Sequence, residues 1–330
     1  MILTKRQIDA MVNTIPNTFD NILHESSILV DKSKFDISTI DDHGDIITID
    51  TISKCNLHCS FCRGSISNIG ELSKLQTMTQ TAFEIFVKRA TDYGIKHIEM
   101  TPAIGEPFID KGIIDKLKHL EENDKIESYI ITTNLTMWKD VHFEFIKTCN
   151  KIVFNISLYG YDEESYSKST NRKNKFQTFY ANFTRLADIV HEYDNVYMII
   201  FMRCGLPFNH RFPRTPIFYD VFNLANLKNC WLNNGDIENI NRAANLEGFE
   251  KKSRQRSGIC PNGPGIGGGV IANGDFLFCP FNDINRVGVV GNLYTQSLEE
   301  IYSGDKWQEI LNNHMNNTYI GICKNCDETW

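Results

Sequence analysis

The sequence predicts an α/β fold, a parallel β-sheet with helices outside it, followed by a smaller cysteine-rich α+β module. Two observations carry this. From about residue 45, short runs rich in β-branched and aromatic residues alternate with longer stretches whose apolar residues recur at helical spacing. After about residue 235 the alternation stops, and glycine, charge and spaced cysteines take over. Roughly five or six β-α units fit an open sheet and a partial barrel equally well, and in both the chemistry gathers at the C-terminal ends of the strands.

The elements follow in order. Residues 1–44 form a preface in which Ile8, Met11, Val12 and Ile15 have helical spacing and Pro16 ends the pattern. Ile46–Ile49 reads as the first strand. Phe83, Phe86, Val87 and Ala90 mark a helical face that stops at Gly94. Lys96–Met100 is a second strand, and Ile114, Leu117 and Leu120 mark the next helix. Tyr129–Thr133 and Lys151–Leu158 are the third and fourth strands. A stripe at Phe179, Phe183, Leu186 and Val190 follows, then a fifth strand at Val196–Met202. A helix at 216–227 and a strand at Asn229–Leu232 complete a core domain spanning 45–235.

Residues 236–330 form the second domain. Glu250–Arg256 is charged, Gly263–Gly269 is glycine-rich, and Gly268–Pro280 reads as a hairpin turning at Asn273-Gly274. A helix at 297–312 carries Leu298, Ile301, Trp307, Ile310 and Leu311. No internal repeat interrupts this order.

Composition narrows the function. The chain has 330 residues, 42% hydrophobic and 23% charged, enough to bury a sizeable core. A net charge of −7 argues against general nucleic-acid binding. Met1–Gln7 lacks the features of a secretory signal, and no run approaches the ~18 apolar residues of a membrane span. A cytoplasmic protein without membrane or nucleic-acid partners is expected. In a reducing compartment its ten cysteines do not imply disulfides. Seven of them fall into spaced sets, whereas Cys149, Cys204 and Cys230 stand alone and read as small buried hydrophobes.

The first set is Cys55, Cys59 and Cys62, a C-x3-C-x2-C spacing just after the first strand. Three thiolates can hold three irons of a cubane and leave the fourth iron open, whereas electron carriers use four. A zinc knuckle is the alternative, but zinc sites usually show C-x2-C pairs with a fourth ligand nearby. With Phe61 before the third cysteine, the run Lys54–Arg63 resembles the cluster loop of the radical S-adenosylmethionine (SAM) superfamily. The resemblance implies a partial (β/α)6 barrel and thereby decides between the two sheet forms. It also implies that a [4Fe–4S] cluster and SAM generate a 5′-deoxyadenosyl radical, which takes hydrogen from an unactivated C–H. An electron donor such as flavodoxin or ferredoxin goes with it.

The same resemblance assigns further positions. Ile104-Gly105-Glu106-Pro107 is similar to the family's G-G-E-P motif, with Ile104 in place of the first glycine. Glu106 would accept from the cofactor's ammonium and Gly105 would allow close approach; a plain turn with a solvated glutamate is the alternative. Ser157 and Arg172 match positions that face the methionine carboxylate, for which an arginine fork is suited, although Arg172 also reads as a solvent-facing loop residue. Phe61 matches the position beside adenine, and Asn134 is either a polar contact or a simple strand-ending residue.

Cys260, Gly274, Cys279, Cys323 and Cys326 form a C-x13-G-x4-C, gap, C-x2-C layout. This resembles the shortened auxiliary-cluster module called twitch, a reduced form of the SPASM module. The resemblance implies one closed auxiliary [4Fe–4S] cluster; a four-cysteine zinc site has the same ligand count.

Related enzymes with one auxiliary cluster include alcohol dehydrogenases acting on aminocyclitols. Oxidation of a small, sugar-like substrate is therefore the first expectation, with Arg203 at the end of the fifth strand either a structural residue or a contact to the reacting hydroxyl. Epimerisation is the second, with Cys204 as hydrogen donor rather than a buried inert thiol. Modification of a ribosomal peptide is the third, and a zinc-stabilised binding protein is the non-enzymatic alternative. His210, Arg211 and Arg214 form a basic loop that either holds an anionic substrate or is merely solvated.

Overall fold

The computed structural model describes residues 2–14, 46–59, 62, 77–100, 105–206, 208–209, 211–233, 256–260, 263, 267–281, 283 and 287–326. Ile15, Pro16, Phe61, Ile104, His210 and residues 250–255, singled out above, lie outside them. In chain order the elements are α1 (Lys5–Thr14), β1 (Ile46–Asp50), α2 (Gln80–Tyr93), β2 (His97–Met100), α3 (Ile113–Glu121), β3 (Ser128–Thr133), α4 (Asp140–Ile146), β4 (Ile152–Leu158), α5 (Glu163–Thr170), α6 (Phe176–Glu192), β5 (Tyr197–Met202), α7 (Pro216–Ala225), β6 (Cys230–Asn233), β7 (Gly269–Ile271), β8 (Asp275–Leu277), β9 (Val289–Asn292), α8 (Leu298–Ser303) and α9 (Asp305–Met315). The expected α/β class holds, with parallel strands separated by helices. The described residues fall into two compact units, one drawn from within Met1–Asp36, Leu57–Ser60 and Thr132–Ile237, the other from within Ile37–Asn56, Phe61–Ile131 and Glu238–Trp330.

In the second of these units β1 is paired in parallel on both sides, to β2 (Ile47↔Ile98) and to β7 (Thr48↔Gly269). Ile47 and Ile49 are wholly buried, as the apolar run of a strand covered on both faces requires. β2 pairs in parallel with β3, while β8 and β9 continue antiparallel from β7. Thr79 caps α2 by accepting from the Ala82 amide, and Gly94 ends it in a left-handed conformation. Phe83, Phe86, Val87 and Ala90 are all fully buried, as their spacing predicts.

Two helices depart from expectation. The buried stripe of α3 is Ile113, Lys116, Leu117 and Leu120, with Ile114 off it, because Lys116 takes a core position opposite Asp110. The single helix expected at 297–312 is two, broken at Gly304, whose extended backbone (ψ 147°) ends α8. The break lets Trp307 turn onto Tyr302 and Phe278, with ring centroids 4.8 and 5.1 Å apart. The hairpin turns where expected. Gly274 sits at φ 86°, and a Cβ there would lie 2.5 Å from the Tyr294 ring.

In the other unit β4, β5 and β6 run parallel. Phe154, Ile156 and Leu158 are wholly buried on one face of β4, and Val153, Asn155 and Ser157 take the other. Tyr166, Phe179 and Phe183 stack with centroids 5.4 and 5.8 Å apart, each burial contributing about 2–3 kcal/mol. Helices α4 and α5 were not foreseen. α5 (EESYSKST) has almost no apolar face and is specified by its cap, in which Asp162 accepts from the Ser165 amide at 2.8 Å. α1 docks on α7: the Leu3 amide donates to Asn223 Oδ1 (2.9 Å) and Tyr219 donates to Asp9 (2.9 Å). Ile8 is buried there, whereas Met11 faces solvent. Among the described residues no helix is long and apolar enough to cross a membrane.

Asn229 is the polar knot of this unit. It is buried, and its Nδ2 donates to the carbonyls of Val190 (2.9 Å), Tyr193 (3.3 Å) and Val196 (2.9 Å), which joins the end of α6 to the start of β5. Asn229→Leu strands those carbonyls, and chemical denaturation should show a loss of about 3 kcal/mol.

Candidate active site and cysteine centres

The three-cysteine loop leaves β1 through Thr51 and Ile52, where the Met78 amide donates to the Thr51 carbonyl at 2.8 Å. Cys59 is buried, and Cys55 and Cys62 are half-buried. Just before Cys55, the Lys54 carbonyl accepts from the Glu106 amide at 2.7 Å, which ties the Gly-Glu-Pro turn to the root of the loop. Gly105 precedes this bond at φ 142°, a backbone that L side chains rarely adopt, so the residue type at 105 is fixed by conformation. Glu106 is 1% exposed and so is not the solvated glutamate of a plain turn. Its Oε1 accepts from the Phe108 amide (3.3 Å) and caps the 3-10 turn Pro107–Ile109.

The end of α5 grips the middle of the loop. Thr170 accepts from the His58 amide at 3.0 Å, and Asn171, the left-handed cap of α5 (φ 51°), donates to the His58 carbonyl at 2.8 Å. Arg172 is exposed, and its guanidinium donates to His58 Nε2. Sequence pattern pairs Arg172 with a carboxylate; its contact here is the imidazole next to Cys59. Asn134 is buried, and its Oδ1 accepts from the Thr136 amide (2.9 Å) and hydroxyl (2.6 Å), so it closes the turn after β3.

Beyond the ends of β4 and β5 lies a compact polar group. Ser157 is 1% exposed. The Arg203 amide donates to the Leu158 carbonyl (2.8 Å), and its guanidinium lies 4.1 Å from the Phe201 ring. Cys204 is half-buried, with its thiol 3.5 Å from the Leu206 carbonyl. Burial pushes that thiol upward, so it is protonated at neutral pH. Tyr161 lies near enough for Cys204 to help raise its phenol, after burial and Asp162, and its ring meets Phe212 edge-on at 5.4 Å. Sequence reading passed over Tyr161, which belongs to no motif. It also passed over Asn155, whose Oδ1 is buried and accepts no hydrogen bond among the described residues. Of the basic loop, Arg211 is exposed, while Arg214 stacks on Phe218 (4.2 Å) and donates to the Phe212 carbonyl, a structural arrangement.

The second cysteine set converges within one unit. Cys260, Cys279 and Cys323 are buried and Cys326 is half-buried. Burial pushes the Cys323 thiol strongly up, and Cys279, Cys260 and Cys326 push it further, so the four sulfurs share one electrostatic neighbourhood. Arg256 acts in the opposite sense. It donates to the Cys323 carbonyl and lies 4.5 Å over the Tyr319 ring. His314 is wholly buried, accepts from the Cys260 amide at Nδ1 (3.3 Å), and packs on Phe278 (5.4 Å) and Tyr319 (5.0 Å). Four cysteines in one neighbourhood, with Arg256 beside Cys323, are by their chemistry a donor set that fits a closed iron–sulfur cluster.

Fold and cysteine sets together define an α/β protein built around iron–sulfur chemistry. Residues 49–207 match the model of the radical SAM superfamily, and residues 260–327 match that of an iron–sulfur cluster-binding domain, SPASM. The chain belongs to the radical SAM superfamily and is an enzyme that uses SAM and [4Fe–4S] clusters. It is 31% identical over 126 residues to a GTP 3′,8-cyclase of Clostridium perfringens, which covers 38% of each chain. It spans less than half the length of that curated relative. Among solved structures it resembles BtrN in complex with AdoMet and 2-DOIA, at TM-score 0.58 and 18% identity over 86% of this chain and 93% of that one. It also resembles anSMEcpe with bound AdoMet, at TM-score 0.53 and 16% identity over 82% and 80%. At these identities the likeness is one of fold.

The grip of α5 on the loop has a measurable consequence. In a His58→Ala variant the contact to Arg172 is lost, and iron retained after anaerobic gel filtration should fall by up to about half, as one of two clusters loosens.

Proposed function

We propose that this enzyme takes a carbon-bound hydrogen from a small polar substrate, sugar-like or anionic, and completes its oxidation. The observation that carries this reading is a set of four cysteines in one electrostatic neighbourhood, three buried and one half-buried, with Arg256 beside Cys323. A site with all its ligands supplied by protein is suited to moving electrons rather than to binding substrate. When bound, SAM and the two clusters supply the hydrogen-abstracting radical and an electron acceptor.

The chain's own residues bind and orient. Cys55, Cys59 and Cys62 hold the first cluster and leave one iron for SAM. Glu106 accepts from the cofactor's ammonium, Gly105 lets the backbone approach, and Ser157, Arg172, Asn134 and Phe61 are the further positions carried over from the family. Cys260, Cys279, Cys323 and Cys326 hold the second cluster. Arg203, beside Phe201, contacts the reacting hydroxyl. In this reading 45–235 is the catalytic core and 236–330 the auxiliary-cluster domain. A flavodoxin or ferredoxin in the cytoplasm reduces the enzyme.

Epimerisation is the second reading, favoured by Cys204. A hydrogen donor must keep its S–H, and burial holds this thiol above its ordinary value. The sign is definite. The donor form is full at neutral pH, and it is lost only as pH rises past the ordinary thiol value of about 8.5. Solvent deuterium incorporation that depends on Cys204 should therefore stay level from about pH 7 to 8.5.

Anaerobic reconstitution tests the whole reading. The native protein should hold about eight irons, and a Cys55→Ala/Cys59→Ala/Cys62→Ala variant about four. Only the native protein should form 5′-deoxyadenosine with SAM and dithionite. A panel of aminocyclitols, sugar phosphates and nucleotides in deuterated water then separates the two reactions. Oxidation yields a product poorer by two hydrogens and untouched by Cys204→Ser. Epimerisation yields solvent deuterium in product, abolished by Cys204→Ser. A native protein without iron would refute both.

A further inference from the structure

Lys116 and Asp110 form an ion pair at 2.7 Å with side chains 2% and 7% exposed. Such burial is unusual for a lysine, and buried pairs of this kind often give no net stability over apolar residues of equal volume. Its other hydrogen bonds show what it does. Asp110 Oδ1 accepts from the Gly112 amide at 2.9 Å, while Oδ2 takes Lys116. The Asp110 amide donates to the Pro107 carbonyl (3.0 Å), and its carbonyl accepts from the Ile113 amide (3.2 Å). The Ile109 amide donates to the Glu106 carbonyl (3.0 Å), so the short turn that begins at Glu106 ends at Asp110, the residue that Lys116 pairs with. At the far end the Glu106 amide is fixed to the Lys54 carbonyl (2.7 Å). Glu106 is thus bonded to the loop on one side and opens a turn whose other end is bonded to Lys116.

We infer that Asp110 and Lys116 are positioning residues that set the Glu106 carboxylate for the ammonium group of the sulfonium cofactor. The inference rests on Glu106 being that contact. A charge pair fixes direction as well as distance, because Lys116 must meet one oxygen of Asp110 while the other meets Gly112. An apolar pair would fill the space and leave the turn free to shift, and a small displacement of a binding carboxylate is enough to lose affinity.

The test is equilibrium dialysis of the anaerobically reconstituted enzyme with SAM and with a SAM analogue lacking the α-amino group. Thermal midpoint and iron content are recorded alongside. Glu106→Gln should weaken SAM and leave the analogue unchanged. Asp110→Leu/Lys116→Leu should keep iron content and midpoint near native, yet weaken SAM about tenfold or more with the analogue unchanged. Should that variant not fold, the neutral pair Asp110→Asn/Lys116→Gln is measured in its place, with the same expectation. A pair variant that binds SAM as tightly as native, where Glu106→Gln does not, overturns the inference alone. A loss of affinity equal for SAM and the analogue also overturns it, as general damage. Native SAM affinity in Glu106→Gln overturns the inference together with the role of Glu106.

Discussion

The bond from the Glu106 amide to the Lys54 carbonyl is the joint on which the catalytic end depends. Parallel strands deliver their loops to one end of a sheet, but nothing in strand pairing fixes one loop against the next. Here the turn after β2 is fastened to the residue before Cys55. The residue before Cys55 and the Gly-Glu-Pro turn are therefore joined directly. Gly105 makes the joint possible through its backbone, and the cap made by Glu106 gives the turn its shape.

The chain handles buried charge in two ways. Around Cys323 it places Arg256 against sulfurs that would otherwise raise one another, with His314 kept neutral by burial. At the start of α3 it places a complete ion pair inside the core, where apolar packing often serves stability equally well. Elsewhere the interior is aromatic, as in the Tyr166–Phe179–Phe183 stack.

Much of this was legible in the sequence, for identifiable reasons. β-branched runs and the stripes of α2 and α6 depend on local periodicity, and the structure keeps them. The cysteine sets announce themselves by spacing. What could not be read depends on partners distant in sequence. α5 has no apolar stripe and is specified by Asp162 and by the contacts it makes to His58. Lys116 reads as a solvated helix residue until Asp110 is seen opposite it. The break at Gly304 serves Trp307, whose neighbours Phe278 and Tyr302 come from different elements. Arg172 adds a contact that its type alone does not announce: its guanidinium donates to the His58 imidazole.

The pairing of β7 with β1 bears on how the chain is made. β7, the partner of β1 on that side, is translated only after five further parallel strands, β2 to β6, have followed β1. Until then one edge of an apolar, fully coverable strand stands open to any other strand. Late closure of this kind makes for slow, contact-distant folding. The nascent protein therefore passes through a stage in which its first cysteine loop has been synthesised while the strand beside it still lacks a neighbour.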